Sequence, residues 1–152
     1  MKNILKQGFT LIELLIVIAI IGIMVAFILP NLAGARERAR DSRRKTDLNS
    51  VQQALRMYYN DNQVFPGSLS WGHALQSGTG TLYMSILPLD PSSTSTTSTY
   101  YVYNSDSKTY YIVSQLENIS DPDIASSQAR CPSSYGAYAS KDATKDYVVC
   151  EE

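Results

Sequence analysis

FTLIELLIVIAIIGIMVAFIL, residues Phe9 to Leu29, contains 21 positions and a single charge, Glu13. At about 1.5 Å of rise per residue, a helix of that length covers roughly 30 Å, the thickness of a bilayer's hydrocarbon. A helix on the core of a soluble domain keeps a polar stripe, whereas this one is apolar on every face. The stretch reads as a membrane-crossing helix, and the rest of the chain is organised around it.

Eight residues precede it, MKNILKQG, with two lysines, no acid and a terminal glycine. A secretory signal places its apolar stretch before a small-residue cleavage site. Here the order is inverted, with the basic piece and its small residue first. Lys2 and Lys6 favour a cytoplasmic leader, although the bases beyond the span oppose them.

Charge dominates after the span. Between Arg36 and Arg56 seven bases (Arg36, Arg38, Arg40, Arg43, Arg44, Lys45, Arg56) face three acids (Glu37, Asp41, Asp47), a balance of +4. From Tyr58 onward four bases face ten acids, a balance of −6. A basic stem and an acidic head attract one another between copies. Helix formers dominate from Leu32 to Tyr59, and Leu48, Val51, Leu55 and Tyr58 recur at helical spacing. Only Ala35 and Ala39 are apolar near the Arg36 to Lys45 run. The helix is therefore expected to be exposed there and to dock on the head from about Thr46.

The remainder reads as a compact head. Asn60 to Gly80 suggests loops, and Thr81 to Leu87 a short strand or helical turn. Leu87-Pro-Leu-Asp-Pro breaks regular structure, and Ser92 to Thr99 is a run of eight Ser/Thr. Tyr100 to Asn104 and Thr109 to Leu116 read as a β-hairpin, and Tyr147 to Cys150 as a last strand. Of the clustered tyrosines (Tyr100, Tyr101, Tyr103, Tyr110, Tyr111), alternate ones are expected to cover the core, rather than to stack on nucleotides or sugars.

The whole chain, 152 residues with 44% hydrophobic and 18% charged, suits one domain and excludes intrinsic disorder. A net charge of −1 excludes a polycation built for nucleic acid. One histidine and two cysteines leave little for a metal site, and no nucleophile elbow or glycine-rich phosphate loop occurs. No enzyme is expected.

Gly8-Phe9-Thr10-Leu11-Ile12-Glu13 resembles the class III leader junction of type IV pilins and the related pseudopilins. The resemblance implies cleavage by a prepilin peptidase between Gly8 and Phe9, and methylation of the new Phe9 amine. It also implies an α+β fold: a long N-terminal helix, transmembrane then amphipathic, packed on a small antiparallel sheet. The implied organisation is a leader at 1–8, a transmembrane and filament-core helix at 9–29, a helical stem at 30–59, and a head with a C-terminal disulfide loop at 60–152. Gly22 and Pro30 fall where pilin helices carry a Gly and a Pro, as points of flexibility or as a simple membrane-exit kink. An ionised carboxylate in hydrocarbon costs about 2.5 kcal/mol or more. The freed amine of a neighbour's Phe9 is the partner of matching depth for Glu13, and their pairing would set the register between subunits.

Cys131 and Cys150 resemble the cysteines of the C-terminal loop of many pilins, in an oxidising compartment; two free thiols are the alternative. Asp90, Asp106, Asp121 and Asp123 read as solvated loop acids. Leu87-Pro-Leu-Asp-Pro also resembles the run before the calcium loop of secretion pseudopilins, but no calcium-loop spacing follows, so no cofactor is expected. Asn118-Ile119-Ser120 is a glycosylation sequon. The Arg36 to Lys45 run would suit DNA or anionic lipid, and is read first as a filament contact to acidic heads.

The expected function is a filament subunit of a type IV pilus, stored in the cytoplasmic membrane and then polymerised at the cell surface. Its partners are further copies, the peptidase and the assembly machinery. The alternatives are a pseudopilin of type II secretion, or a signal-anchored monomeric adhesin or receptor that keeps its leader.

Overall fold

The computed structural model describes residues 8–93, 101–131 and 144–151, with the side chains of 29–31 outside that description. The elements run α1 (Leu11–Asn62), β1 (Leu75–Gln76), β2 (Leu82–Met84), β3 (Tyr101–Ser105), β4 (Tyr110–Gln115), α2 (Pro122–Arg130) and β5 (Asp146–Cys150). The architecture is α+β, as expected. Two compact units divide the chain, Met1–Arg36 and Glu37–Glu152.

The first unit is helical from Leu11, and Leu11–Ile28 is long and apolar enough to cross a membrane, with no residue of it buried. The helix continues unbroken through Gly22 and Pro30. A methyl group on Gly22 would meet no atom within 4 Å. Packing within the chain therefore does not demand a glycine there.

In the second unit, Leu48, Val51 and Leu55 are fully buried, which vindicates their spacing. Burying each such side chain contributes roughly 1.5–3 kcal/mol. Beyond them Tyr58 lies 5.1 Å from Tyr83, ring centre to ring centre. The helix closes at Gln63, whose φ of 58° is the left-handed cap conformation, with Gln63 N donating to Tyr59 O at 2.7 Å.

The expected hairpin is present: β3 and β4 pair antiparallel with Tyr101 opposite Ser114 and Ser105 opposite Tyr110. Strand β5 adds to the far side of β4, giving the order β3-β4-β5, while β1 and β2 form a separate two-stranded sheet. Side chains alternate across a strand. Tyr110, Ile112 and Leu116 accordingly join Leu48, Val51 and Leu55 in the main core, with Tyr147 and Val149 from β5. Tyr111, Val113, Val148, Cys131 and Cys150 form a second buried cluster.

That second cluster revises the tyrosine pattern. Tyr101 and Tyr110 cover the main core as expected, but Tyr111 is buried too, because the sheet is apolar on both faces. Tyr100 and residues 94–99 of the Ser/Thr run lie outside the described residues.

Cys131 and Cys150 are bonded to each other, 5.8 Å apart between Cα atoms, across a separation of 19 residues. Closing a loop of this size is worth about 3 kcal/mol on the chain-entropy account. Replacing both cysteines by serine is expected to lower unfolding stability by about that amount. Urea titration of the full chain in detergent measures it; an unchanged midpoint would mean that the bond adds nothing to the fold.

Candidate functional site

The N-terminal junction begins outside the helix. Gly8, Phe9 and Thr10 are exposed and have no regular secondary structure. Gly8 has no positive φ, and an added methyl would meet nothing within 4 Å. The fold itself places no demand for glycine at position 8, and the Gly8–Phe9 bond stands in backbone open to attack.

The helix then starts with a reciprocal cap. Thr10 N and Thr10 Oγ1 both donate to Glu13 Oε2, at 2.8 and 2.7 Å, and Glu13 N donates back to Thr10 Oγ1 at 3.4 Å. This Thr-x-x-Glu capping box answers two of the main-chain donors that a helix start leaves unpaired. Within one chain, then, Glu13 is held by Thr10. The carboxylate is accommodated at the positive end of the helix dipole before any neighbour arrives.

A second charged constellation lies on α1 in the C-terminal unit: Arg36 to Ala39, Ser42 and Arg43 are exposed as expected, but Asp41 and Arg44 are not. Asp41 and Arg44 are buried at 1% exposure each, so docking starts a full turn before Thr46. Arg44 uses all five of its donors. Nε and Nη2 form a fork on Asp90 at 2.6 and 3.1 Å, Nη2 also reaches Ser92 Oγ at 2.8 Å, and Nη1 donates to Asp41 and Glu117 at 2.7 and 2.8 Å. Arg40 forks onto the same Glu117 carboxylate. Asp41 accepts from the main-chain N–H of Glu117 and of Asn118, both at 2.9 Å, so it also pins the exit of β4.

The loop acids are corrected by the same network. Asp90 is buried against Arg44 rather than solvated. Asp121 caps α2, accepting from Asp123 N at 2.9 Å with Pro122 at the first turn. Lys45 Nζ bridges Asp121 and Asp123, each at 2.7 Å. Asp106 keeps the expected exposed turn position, and Asp123 is exposed as well, on the first turn of α2. A calcium ion does not fit at Asp90, whose two oxygens are taken by the Arg44 guanidinium. Among the described residues no group of three or more His, Cys, Asp or Glu gathers as metal ligands.

Acid should loosen this clasp. Hydrogen bonds from Arg40, opposed by partial burial and reinforced by Arg44, hold the Glu117 carboxyl down at about 2. For Asp121, burial pushes upward, but the Lys45 ammonium and Asp123 N–H outweigh it and the net shift is downward. A folded-state value below the unfolded one contributes stability above the unfolded value of 4.5 and loses it as pH falls toward 2. Asp47 and Glu151, raised by burial, act with the opposite sign. The urea midpoint is expected to fall between pH 6 and pH 3, and to fall less in Glu117→Gln. An equal fall in both proteins would remove Glu117 from the explanation.

Comparison with known proteins bears on the junction and α1. Residues 5–29 match the family model described as the prokaryotic N-terminal methylation motif. The chain is 45% identical over 67 residues to the type II secretion system core protein G of Vibrio cholerae, covering 43% of this chain and 46% of that protein. It is 49% identical over 65 residues to the type IV wide pilus major component PilA4 of Thermus thermophilus, covering 43% and 48%. The core protein G of Escherichia coli K12 is 39% identical over 61 residues, covering 40% and 42%. The chain matches less than half the length of each of these relatives. No solved structure matches it.

Proposed function

We propose that this chain is the structural subunit of a type IV pilus-like filament. It is held in the cytoplasmic membrane by Leu11–Ile28 with its C-terminal unit on the periplasmic side, trimmed between Gly8 and Phe9, and then assembled through its apolar helices. The observation that carries the reading is the junction: an exposed, non-helical Gly8–Phe9 bond stands directly before a capped helix whose first 18 residues, Leu11–Ile28, apolar apart from Glu13, are all uncovered. Burial of that surface among sister helices supplies the cohesion. Hydrolysis of the Gly8–Phe9 peptide bond frees the Phe9 amine, which methylation leaves basic and able to pair with Glu13 of a neighbour. The role is architectural rather than catalytic. The partners are further copies, a prepilin peptidase and a membrane assembly machine.

The resemblance to PilA4 and the Cys131–Cys150 bond favour a pilus. The relatives named as core protein G support the second reading, a pseudopilin serving type II secretion. Surface fibres containing this chain separate the first from the second, which predicts a secretion defect without long fibres.

Mass spectrometry of the chain purified from its own membranes tests the common premise. The expected N-terminus is N-methyl-Phe9, and Gly8→Val is expected to retain residues 1–8. A chain that keeps Met1 in the unaltered protein would sink both readings and leave the tethered monomer.

A further inference from the structure

A cleft of about 230 Å³ opens between α1, the end of α2 and β5, lined by Asn49, Gln52, Arg56, Arg130 and residues 147–150 among others. Its floor is the outer edge of the sheet. Leu116 N donates to Lys145 O and Glu151 N to Tyr110 O, so alternate residues of β5 face β4 and those between turn their main-chain groups away. Val148 N donates to Ser127 Oγ, and Cys150 O accepts from Gln52 Nε2, which pins the edge between the two helices.

Two guanidinium groups line this cleft. Among the described residues neither Arg56 nor Arg130 forms an ion pair; Arg130 donates to Ser126 O of its own helix at 3.4 Å, and Glu151 feels the charge of Arg56 at longer range. Their neighbours on α1 differ: Arg40, Arg44 and Lys45 are already held by acids of their own chain. Arg56 and Arg130 therefore offer positive charge for pairing between chains in a concave site. Guanidinium forks match the planar, two-oxygen carboxylate.

We propose that this cleft is the socket for a carboxylate of a second copy, that of Asp106 on the β3–β4 turn. Asp106 is exposed, and Lys108 N, Thr109 N and Thr109 Oγ1 all donate to its Oδ1, at 3.1, 2.8 and 2.8 Å. Oδ2 keeps its acceptor capacity, and the bonds to Thr109 hold the carboxyl in its charged form. The socket lies along β5, at one edge of the sheet, and the plug stands on the turn that joins β3 to β4, so the two surfaces are unlike. A contact between unlike surfaces propagates head to tail and builds open helices when the rotation does not close. The inference rests on the filament reading above and assigns it a specific contact.

Carbodiimide coupling of the full chain in its own membranes tests the contact without requiring fibres. Arg130→Lys keeps the charge and supplies an amine, which the reagent joins to a carboxylate as an amide while itself taking up the water removed. A peptide linking position 130 of one copy to Asp106 of another is expected, falling at least ten-fold when Asp106→Asn is added. Fibre yield is expected to drop at least ten-fold in Arg130→Asp and to recover within about two-fold in Arg130→Asp with Asp106→Arg. No linkage at 106, or no recovery by the exchange in chains whose disulfide is intact, overturns the socket. Fibres without linkage would refute the socket alone, and linkage without fibres the filament reading alone.

Discussion

Arg44→Met lowers the stability of the C-terminal unit by roughly 3–5 kcal/mol, the cost of breaking a buried ion pair from one side. Arg44 is 1% exposed and answers Asp41, Asp90, Glu117 and Ser92 together. Removing the guanidinium leaves Asp41 and Asp90 buried without their counter-charge. With typical total stabilities of about 5–15 kcal/mol, such a loss is roughly a fifth of the whole or more. Arg44→Lys should recover little, since a point charge cannot reproduce a five-donor fork. Arg44→Met with Asp41→Asn and Asp90→Asn should recover part, because no buried charge is then stranded. Urea midpoints of the four proteins measure these differences, and a shift below 1 kcal/mol in the single variant would show the network to be dispensable.

If the chain is the filament subunit proposed above, Glu13→Gln is expected to cut assembly at least a hundred-fold, although the helix start remains intact. Glutamine serves in a capping box as glutamate does, so the bonds with Thr10 survive. What glutamine lacks is the charge to meet a neighbour's amine. An unpaired buried amine costs about 3–5 kcal/mol at each added subunit, roughly two to three and a half powers of ten in the elongation equilibrium. Trimmed chains should therefore accumulate in the membrane while fibres disappear, as seen by N-terminal mass spectrometry beside fibre counts. Normal fibres from Glu13→Gln would reduce Glu13 to a helix cap.

The parts of the fold that were legible are those with a period. Leu48, Val51 and Leu55 announce a buried helical face, and the β-branched and aromatic runs around Asp106 announce a hairpin. Helix α2 escaped notice because only Ile124 of its nine residues is a large apolar one, and its buried face is completed by a serine, Ser127. The start signal, Asp121 followed by Pro122, was nonetheless there to be read. So was the cap at the head of α1, as Thr10 and Glu13 three residues apart. The interior charges were not legible, since apart from Asp41 the acceptors of Arg44 lie 46, 48 and 73 residues away, and an Asp–Arg pair three residues apart on a helix does not by itself mark an arginine for burial.

Those separations also govern when the molecule can take shape. Gln52 meets Cys150 across 98 positions, and Asp41 meets the start of the β4–α2 connection across 76. Synthesis runs from the N-terminus at about 5–20 residues per second, so Asp41 and Arg44 emerge several seconds ahead of Glu117. Through that interval both remain hydrated, and closing so long a loop has an entropic cost that grows with the logarithm of its length. Maturation of the C-terminal unit is thus a late, long-range event, slower than its helical content alone would suggest.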